Sequence, residues 1–394
     1  MSGPEVDDAG VAALVALSTL PALGPGRLLA LHRSGDVVAA WDAMCAGAGH
    51  RLPALRDRLG RQADDTSARW AATAARLDPA ALLDRHRRAG VAVAVLGASD
   101  YPRRLAADPE PPAVLYHRGT TDALDRPTVA IVGTRNATRV GREVAFEMGE
   151  GLAALGIAVV SGLALGIDGA AHRGALEARA GGSGAGASEG QWSAGPPIGV
   201  VAAGLDIAYP RRHADLHRAV TERGILVSEV PLGLRPDAWR FPARNRIIAG
   251  LADVVVVVES RESGGSIHTA EAALQRDVTV LATPGNVRDA ASTGTNDLLA
   301  AGAHVGRDVE DILIALGLGG AARPGRRRQR AMPADPADRA LLDALGREAT
   351  TVAELVERLG QPIDRLAPSL VRLEVEGWIE RGDGWLQRVE DRRV

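Results

Sequence analysis

Lysine is absent: all 46 basic side chains among the 394 residues are arginine. That absence excludes ordinary P-loop chemistry, which needs a Walker lysine on the phosphates. It also leaves every cation permanently charged and fork-shaped. Cysteine occurs once, at Cys45, which excludes an intramolecular disulfide and a cysteine-based metal cluster and suits a reducing compartment. Aromatic residues make up 3% of the chain, so nucleic-acid binding is expected to lean on arginine and backbone rather than on stacking platforms. No apolar run approaches a membrane span, and the first residues lack a basic region followed by an apolar stretch. A cytoplasmic protein without a membrane partner is expected. The net charge of -3 excludes a uniformly basic protein and leaves room for a local basic groove.

What is present is organised around residues 128–176. This stretch reads as strand, glycine-containing turn, helix, strand, glycine-rich turn, helix. The apolar run 129–132 has no polar alternation, which suits a parallel strand buried on both faces. It leads into Gly133, Thr134 and Arg135, and the second strand ends in Ser161 and Gly162. In open α/β sheets that edge is where ligands bind, and helix N-termini there attract phosphate.

The length predicts two or three domains. Residues 1–89 read as a helical domain in which LPALGPGRLL (20–29) resembles a helix-hairpin-helix turn; a small bundle that merely needs glycine there is the plainer reading. Residues 90–318 alternate strands and helices, which predicts a doubly wound, Rossmann-like parallel sheet. Residues 178–197 are low in complexity and read as a flexible insertion. A linker at 319–336 carries Arg323, Arg326, Arg327, Arg328 and Arg330 and reads first as a solvated tether. Residues 337–394 read as three helices and a hairpin, a winged-helix pattern that could read DNA or dock a protein.

The strongest chemical constellation is a set of turns along one sheet edge. It comprises Gly133, Thr134, Arg135, Ser161, Gly162, Gly166, Asp168, Gly204, Arg244, Asn245, Arg246, Gly264, Gly265 and Ser266. Glycines permit close backbone approach, hydroxyls and amides donate to phosphate oxygens, and three arginines neutralise charge. Dinucleotide binding fits less well, because GTRNATRVG is not G-x-G-x-x-G and no ribose-binding acid ends the second strand. His213 and His217 share the spacing of two ligands on one helix face, but Ala214 stands where a zinc protease has its general base. Asp168 is read as a capping or loop-holding residue. No acid–base pair stands out, no catalytic residue is assigned, and neither a cofactor nor a metal is expected.

At these residues the chain resembles the DNA-processing protein A family, also called Smf. The matching stretches include VAIVGTRNATRVG, VVSGLALGIDGAAHRGAL, FPARNRIIAGLADVVVVVES and SGGSIHTAEAAL, in one order over residues 90–315. The resemblance implies a non-enzymatic protein that binds single-stranded DNA in a basic pocket of an extended Rossmann-like core. It implies a homodimer that helps load a RecA-type recombinase during natural transformation. By motif, Arg135 is the signature arginine of the G-[ST]-R turn, and Arg244, Asn245 and Arg246 come from the F-P-x-R-N-R element. Arg211 or Arg212 is expected to add a cation beside the Tyr-Pro turn.

Two other readings come from different classes. SGGSIHTAEAAL also resembles the P-G-G-x-G-T-x-x-E signature of lysine-decarboxylase-like nucleotide phosphoribohydrolases, with Gly264, Gly265 and Glu271 at matching spacing. There Ser263 replaces the proline, and the RNR element is foreign to that family. A duplex-binding regulator acting through the winged helix is the third.

Overall fold

The computed structural model describes residues 7–59, 63–179, 194–319, 332–346, 350–376, 378–382 and 384–388. Residues 180–193 of the expected insertion and 320–331 of the linker, with its five arginines, lie outside them. The chain divides into two compact units, 1–322 and 323–394.

Among the described residues the first unit opens with six α-helices: α1 (Asp8–Ser18), α2 (Gly24–Arg33), α3 (Val37–Cys45), α4 (Pro53–Leu59), α5 (Ala63–Ala74) and α6 (Pro79–Arg88). Aspartates set several of their starts. Asp7, Asp36 and Asp78 accept from the first-turn amides of α1, α3 and α6, satisfying N–H groups that have no partner within the helix. The turn from α1 to α2 bends through positive φ at Ala22 and Gly24.

Strands and helices then alternate: β1 (Ala92–Val95), α7 (Arg103–Ala106), β2 (Val114–Gly119), β3 (Thr128–Val132), α8 (Arg139–Ala154), β4 (Ala158–Ser161), α9 (Ile167–Glu177), β5 (Pro197–Val201), α10 (Ala214–Arg223), β6 (Ile225–Ser228), α11 (Arg240–Leu251), β7 (Val254–Val257), α12 (Gly265–Leu274), β8 (Thr279–Ala282), α13 (Thr293–Ala300), β9 (His304–Val305) and α14 (Val309–Ala315). They form one nine-stranded sheet in the order β1-β2-β6-β5-β4-β3-β7-β8-β9. Pairing is antiparallel at β1–β2 and β2–β6 and parallel from β6 to β9. The doubly wound sheet is the one that the alternation predicts.

Burial on both faces explains the unbroken apolar runs. Val129 and Ile131 pack toward α8, α9 and α14, whereas Ala130 and Val132 pack toward α11 and α12. On the first of these faces, nearer β2 and β6, the six N-terminal helices close over Tyr116, Val201 and Leu226 in one continuous core. Each fully buried Val or Leu side chain contributes about 1.5–3 kcal/mol of transfer free energy. Glycine lets α8 and α9 touch backbone to backbone: a Cβ at Gly149 would meet the Ala171 carbonyl oxygen, and one at Gly174 the Phe146 carbonyl oxygen.

The second unit contains α15 (Pro336–Leu345), β10 (Thr350–Thr351), α16 (Val352–Leu359), α17 (Ile363–Val375), β11 (Ile379–Gly382) and β12 (Trp385–Arg388). Leu342, Leu355, Leu370, Trp378 and Leu386 share its core. Thr351 and Glu354 form a reciprocal capping box at α16. The three helices and the β11–β12 hairpin agree with the sequence pattern; β10, which pairs with β12, is too short to be legible there.

Candidate nucleic-acid interface

Strand β3 is the hub of the sheet. From it the chain winds outward through β4, β5 and β6 on one side, and through β7, β8 and β9 on the other. The point where the order reverses lies between β3 and β7, and ligands of open α/β sheets bind at such a point beyond the strands' carboxyl ends. A cleft of about 690 Å³ opens there. Its lining comes from the turn after β3 (Gly133, Thr134, Arg135), the first half of α11 (Arg244, Asn245) and the start of α12 (Gly264, Gly265, Ser266).

Close backbone contacts fix the first turn. A Cβ at Gly133 would press on Ile167 at 2.5 Å and on the Glu259 carbonyl oxygen at 2.8 Å. Glycine there lets the Thr134 amide donate to that carbonyl at 2.7 Å, tying β3's end to β7's. Gly166, at φ 78°, lies against the Thr134 carbonyl, so the second turn is pressed onto the first. The buried Glu259 carboxylate then straps the loop. It accepts from the Thr138 amide at 2.9 Å and the Thr138 hydroxyl at 2.5 Å, while Thr138 Oγ1 caps α8 by accepting from the Gly141 amide at 2.9 Å.

Beneath the turns lie two buried groups of opposite charge, Asp168 and Arg244. Asp168 accepts from the Gly162 amide at 3.1 Å and from the Ala164 and Gly133 amides. Burial pushes its carboxyl up, opposed by Arg244 and those amides. Arg244 Nη1 donates to the Gly162 carbonyl at 2.9 Å and to the Val200 carbonyl, holding together the ends of β4 and β5. Burial lowers its guanidinium to about 10; Asp168 opposes that shift and Arg135 adds to it. Asn245 extends the network, with Nδ2 donating to the Gly265 carbonyl at 3.1 Å.

Arg135 lines the same cleft as Asp168 and Arg244. It is exposed, and among the described residues it makes no ion pair. Its guanidinium carbon lies 4.8 Å from the centroid of the Phe241 ring, whose other neighbour is Tyr209 at 5.7 Å. Arg135, Phe241 and Arg244 also line a smaller cleft of about 120 Å³ with Gly162 and Tyr209. Arg261, exposed in the loop between β7 and α12, adds a further cation to the larger cleft. The assembly offers a permanent positive charge, open backbone at α12 and an aromatic ridge to an anionic, ring-bearing polymer.

Residues 92–317 match the DNA recombination-mediator protein A family, and residues 325–384 match the DprA winged helix domain. The chain belongs to the DNA recombination-mediator protein A family. Protein Smf of Escherichia coli is 36% identical over 295 residues, covering 73% of this chain and 75% of that one. The putative DNA processing protein DprA of Mycobacterium tuberculosis is 38% identical over 282 residues, 69% of this chain and 68% of that one. The X-ray structure of DNA processing protein A from Streptococcus pneumoniae superimposes with a TM-score of 0.60 at 28% identity, covering 79% of this chain and 98% of that one.

In this DprA fold the residues expected at the site divide into two sets. Gly133, Thr134, Arg135, Asp168, Arg244, Asn245, Gly264, Gly265 and Ser266 line the larger cleft, and Gly162 lines the smaller. Gly166 supports the first turn from behind. Ser161 is fully buried and donates to the Ile131 carbonyl at 2.7 Å, so its hydroxyl braces β3. Gly204 turns the chain, its amide donating to the Leu234 carbonyl at 2.9 Å. Arg246 lines neither cleft: its Nη2 donates to Glu229 at 2.5 Å, with both side chains largely buried. Arg211 and Arg212 are exposed just after Tyr209 and Pro210 and line neither cleft.

The sequence reading did not single out Phe241, Tyr209, Glu259 or Arg261 for this site. Glu271 of the nucleotide-hydrolase pattern pairs with His268 at 3.0 Å on the exposed face of α12. His213 and His217 each bond a backbone carbonyl, of Leu163 and Tyr209. Among the described residues no cluster of histidine, cysteine and acid side chains could hold a metal ion, and no helix is long and apolar enough to cross a membrane.

Proposed function

We propose that this chain is a non-enzymatic mediator that binds single-stranded DNA at the switch-point cleft and delivers it to a RecA-type recombinase. The observation that carries the reading is Arg135: an exposed arginine without an acidic partner among the described residues, seated on an aromatic ring at the mouth of a cleft beside an open helix start. The ridge of Phe241 and Tyr209 favours bases that are free to leave a stack, as in a single strand, whereas duplex DNA keeps its bases paired. Family membership supports recombination as the setting. Dimerisation and a cytoplasmic location belong to the same proposal, as does the division of the first unit into a helical domain (1–89) and a binding core (90–318).

Fluorescence anisotropy with a labelled oligothymidine and a matching duplex over a salt series tests the reading. Tighter binding of the single strand, with a steep fall as salt rises, is expected. Equal or duplex-favouring affinity would contradict it and move the weight to the winged helix. The delivery step is tested by recombinase filament assembly on a coated single strand, which the chain should accelerate.

A further inference from the structure

The two clefts at Arg135 adjoin a third cavity. Arg244, Val201 and Ala202 line both the smaller cleft and a cavity of about 360 Å³ that runs beneath the turn between α1 and α2. Its volume falls in the range of small-molecule sites, roughly 300–1,000 Å³. Leu20, Leu23 and Leu28 of the helical layer face Val201 and Ile247 of the core across it, and Trp239 completes the wall.

Trp239 is an unusual expense of hydrophobic surface. The chain has few aromatic residues, and among the described residues of the first unit its exposed ones are Tyr209 and Trp239, 45% and 46% exposed. Both flank Phe241. Trp239 and Phe241 stand two residues apart at the start of α11, Phe241 toward the Arg135 clefts and Trp239 toward the third cavity. The indole is held in place: the Arg240 guanidinium carbon lies 5.2 Å from its centroid, and Arg240 Nη1 donates to the Arg235 carbonyl at 2.5 Å.

Charge decides which part of a strand would fit. Glu229 and Asp237 also line the cavity, opposing Arg240 and Arg244, so a phosphate gains little there. The apolar walls and the indole suit a flat, neutral ring. We propose that this cavity takes a nucleobase of the strand held at Arg135, stacked on Trp239. The site rests on the single-strand reading above and adds to it a second base position on the far side of Arg244.

The test uses the full chain and oligothymidines in which one abasic site is moved along the strand, with Trp239→Ala and Trp239→Phe as variants. The expected profile has two sensitive positions in the wild type. Trp239→Ala abolishes the sensitivity at one of them, keeps the other, and weakens the intact strand by at least about five-fold, the loss of one stacked base; Trp239→Phe restores most of the affinity. Unchanged affinity in Trp239→Ala, or an abasic profile identical to the wild type, would overturn the site while leaving the Arg135 reading intact. Failure of the wild type to bind any oligothymidine would overturn the single-strand reading and this site with it.

Discussion

The Arg135 guanidinium lies over the Phe241 ring, 4.8 Å from its centroid, joining the turn after β3 to the start of α11. The contact orients the cation and presents an aromatic face beside it. Phe241→Ala should therefore weaken oligothymidine binding by about 1–3 kcal/mol, the range for a lost base stack, while Phe241→Tyr retains most of the affinity. Equilibrium titration at one fixed salt concentration measures the difference.

Arg244 has a different task, because it is buried and bonded to the ends of two strands. Arg244→Ala leaves the buried Gly162 and Val200 carbonyls without their donor, at about 1–3 kcal/mol for each unsatisfied group, and removes the positive charge that opposes the desolvation of Asp168. Urea unfolding should show that loss, and Arg244→Lys should recover little of it, because a lysine lacks the planar fork.

Arg246 should separate stability from binding. Its partner Glu229 is buried, so Arg246→Ala destabilises the fold, again by about 3–5 kcal/mol. Affinity for a single strand, measured on the folded fraction, should stay near the wild-type value.

The fold should weaken in mild acid. Burial lowers the fully enclosed His172 to about 3, so between the usual histidine value of 6.5 and that value the unfolded chain takes up a proton that the folded chain refuses. Stability therefore falls as pH falls through this window, by up to about 1.4 kcal/mol per pH unit for such a group. His32, His86, His117 and His217 are lowered in the same sense. Asp168 and Glu229, raised by burial, pull the other way. With five histidines against two acids, the urea midpoint is expected to be lower at pH 5 than at pH 7.

Much of this architecture is legible in the sequence, for a physical reason. Strands buried on both faces, such as Val254–Val257, show an unbroken apolar run, and the glycines at their ends mark the edge where the cleft forms. The RNR element is less legible. Residues two apart on a helix point about 200° from one another, so Arg244 and Arg246 cannot share one cleft. That spacing is the signal for the separation. Glu259 follows an apolar run and looks like an ordinary strand end; only its contact with Thr138 shows its role. A low aromatic content says nothing of placement, and folding brings Tyr209 of the loop after β5 against Phe241 of α11.

The central claim is that Arg135 meets a phosphate of a single strand, and the salt dependence of binding tests it most directly. Oligothymidine affinity should be measured for the wild type and Arg135→Ala from low to high salt. The account predicts weaker binding by about 1.5–3 kcal/mol, a shallower slope of log affinity against log salt by about 0.7, and unchanged thermal stability. An unchanged slope and affinity in Arg135→Ala would contradict it.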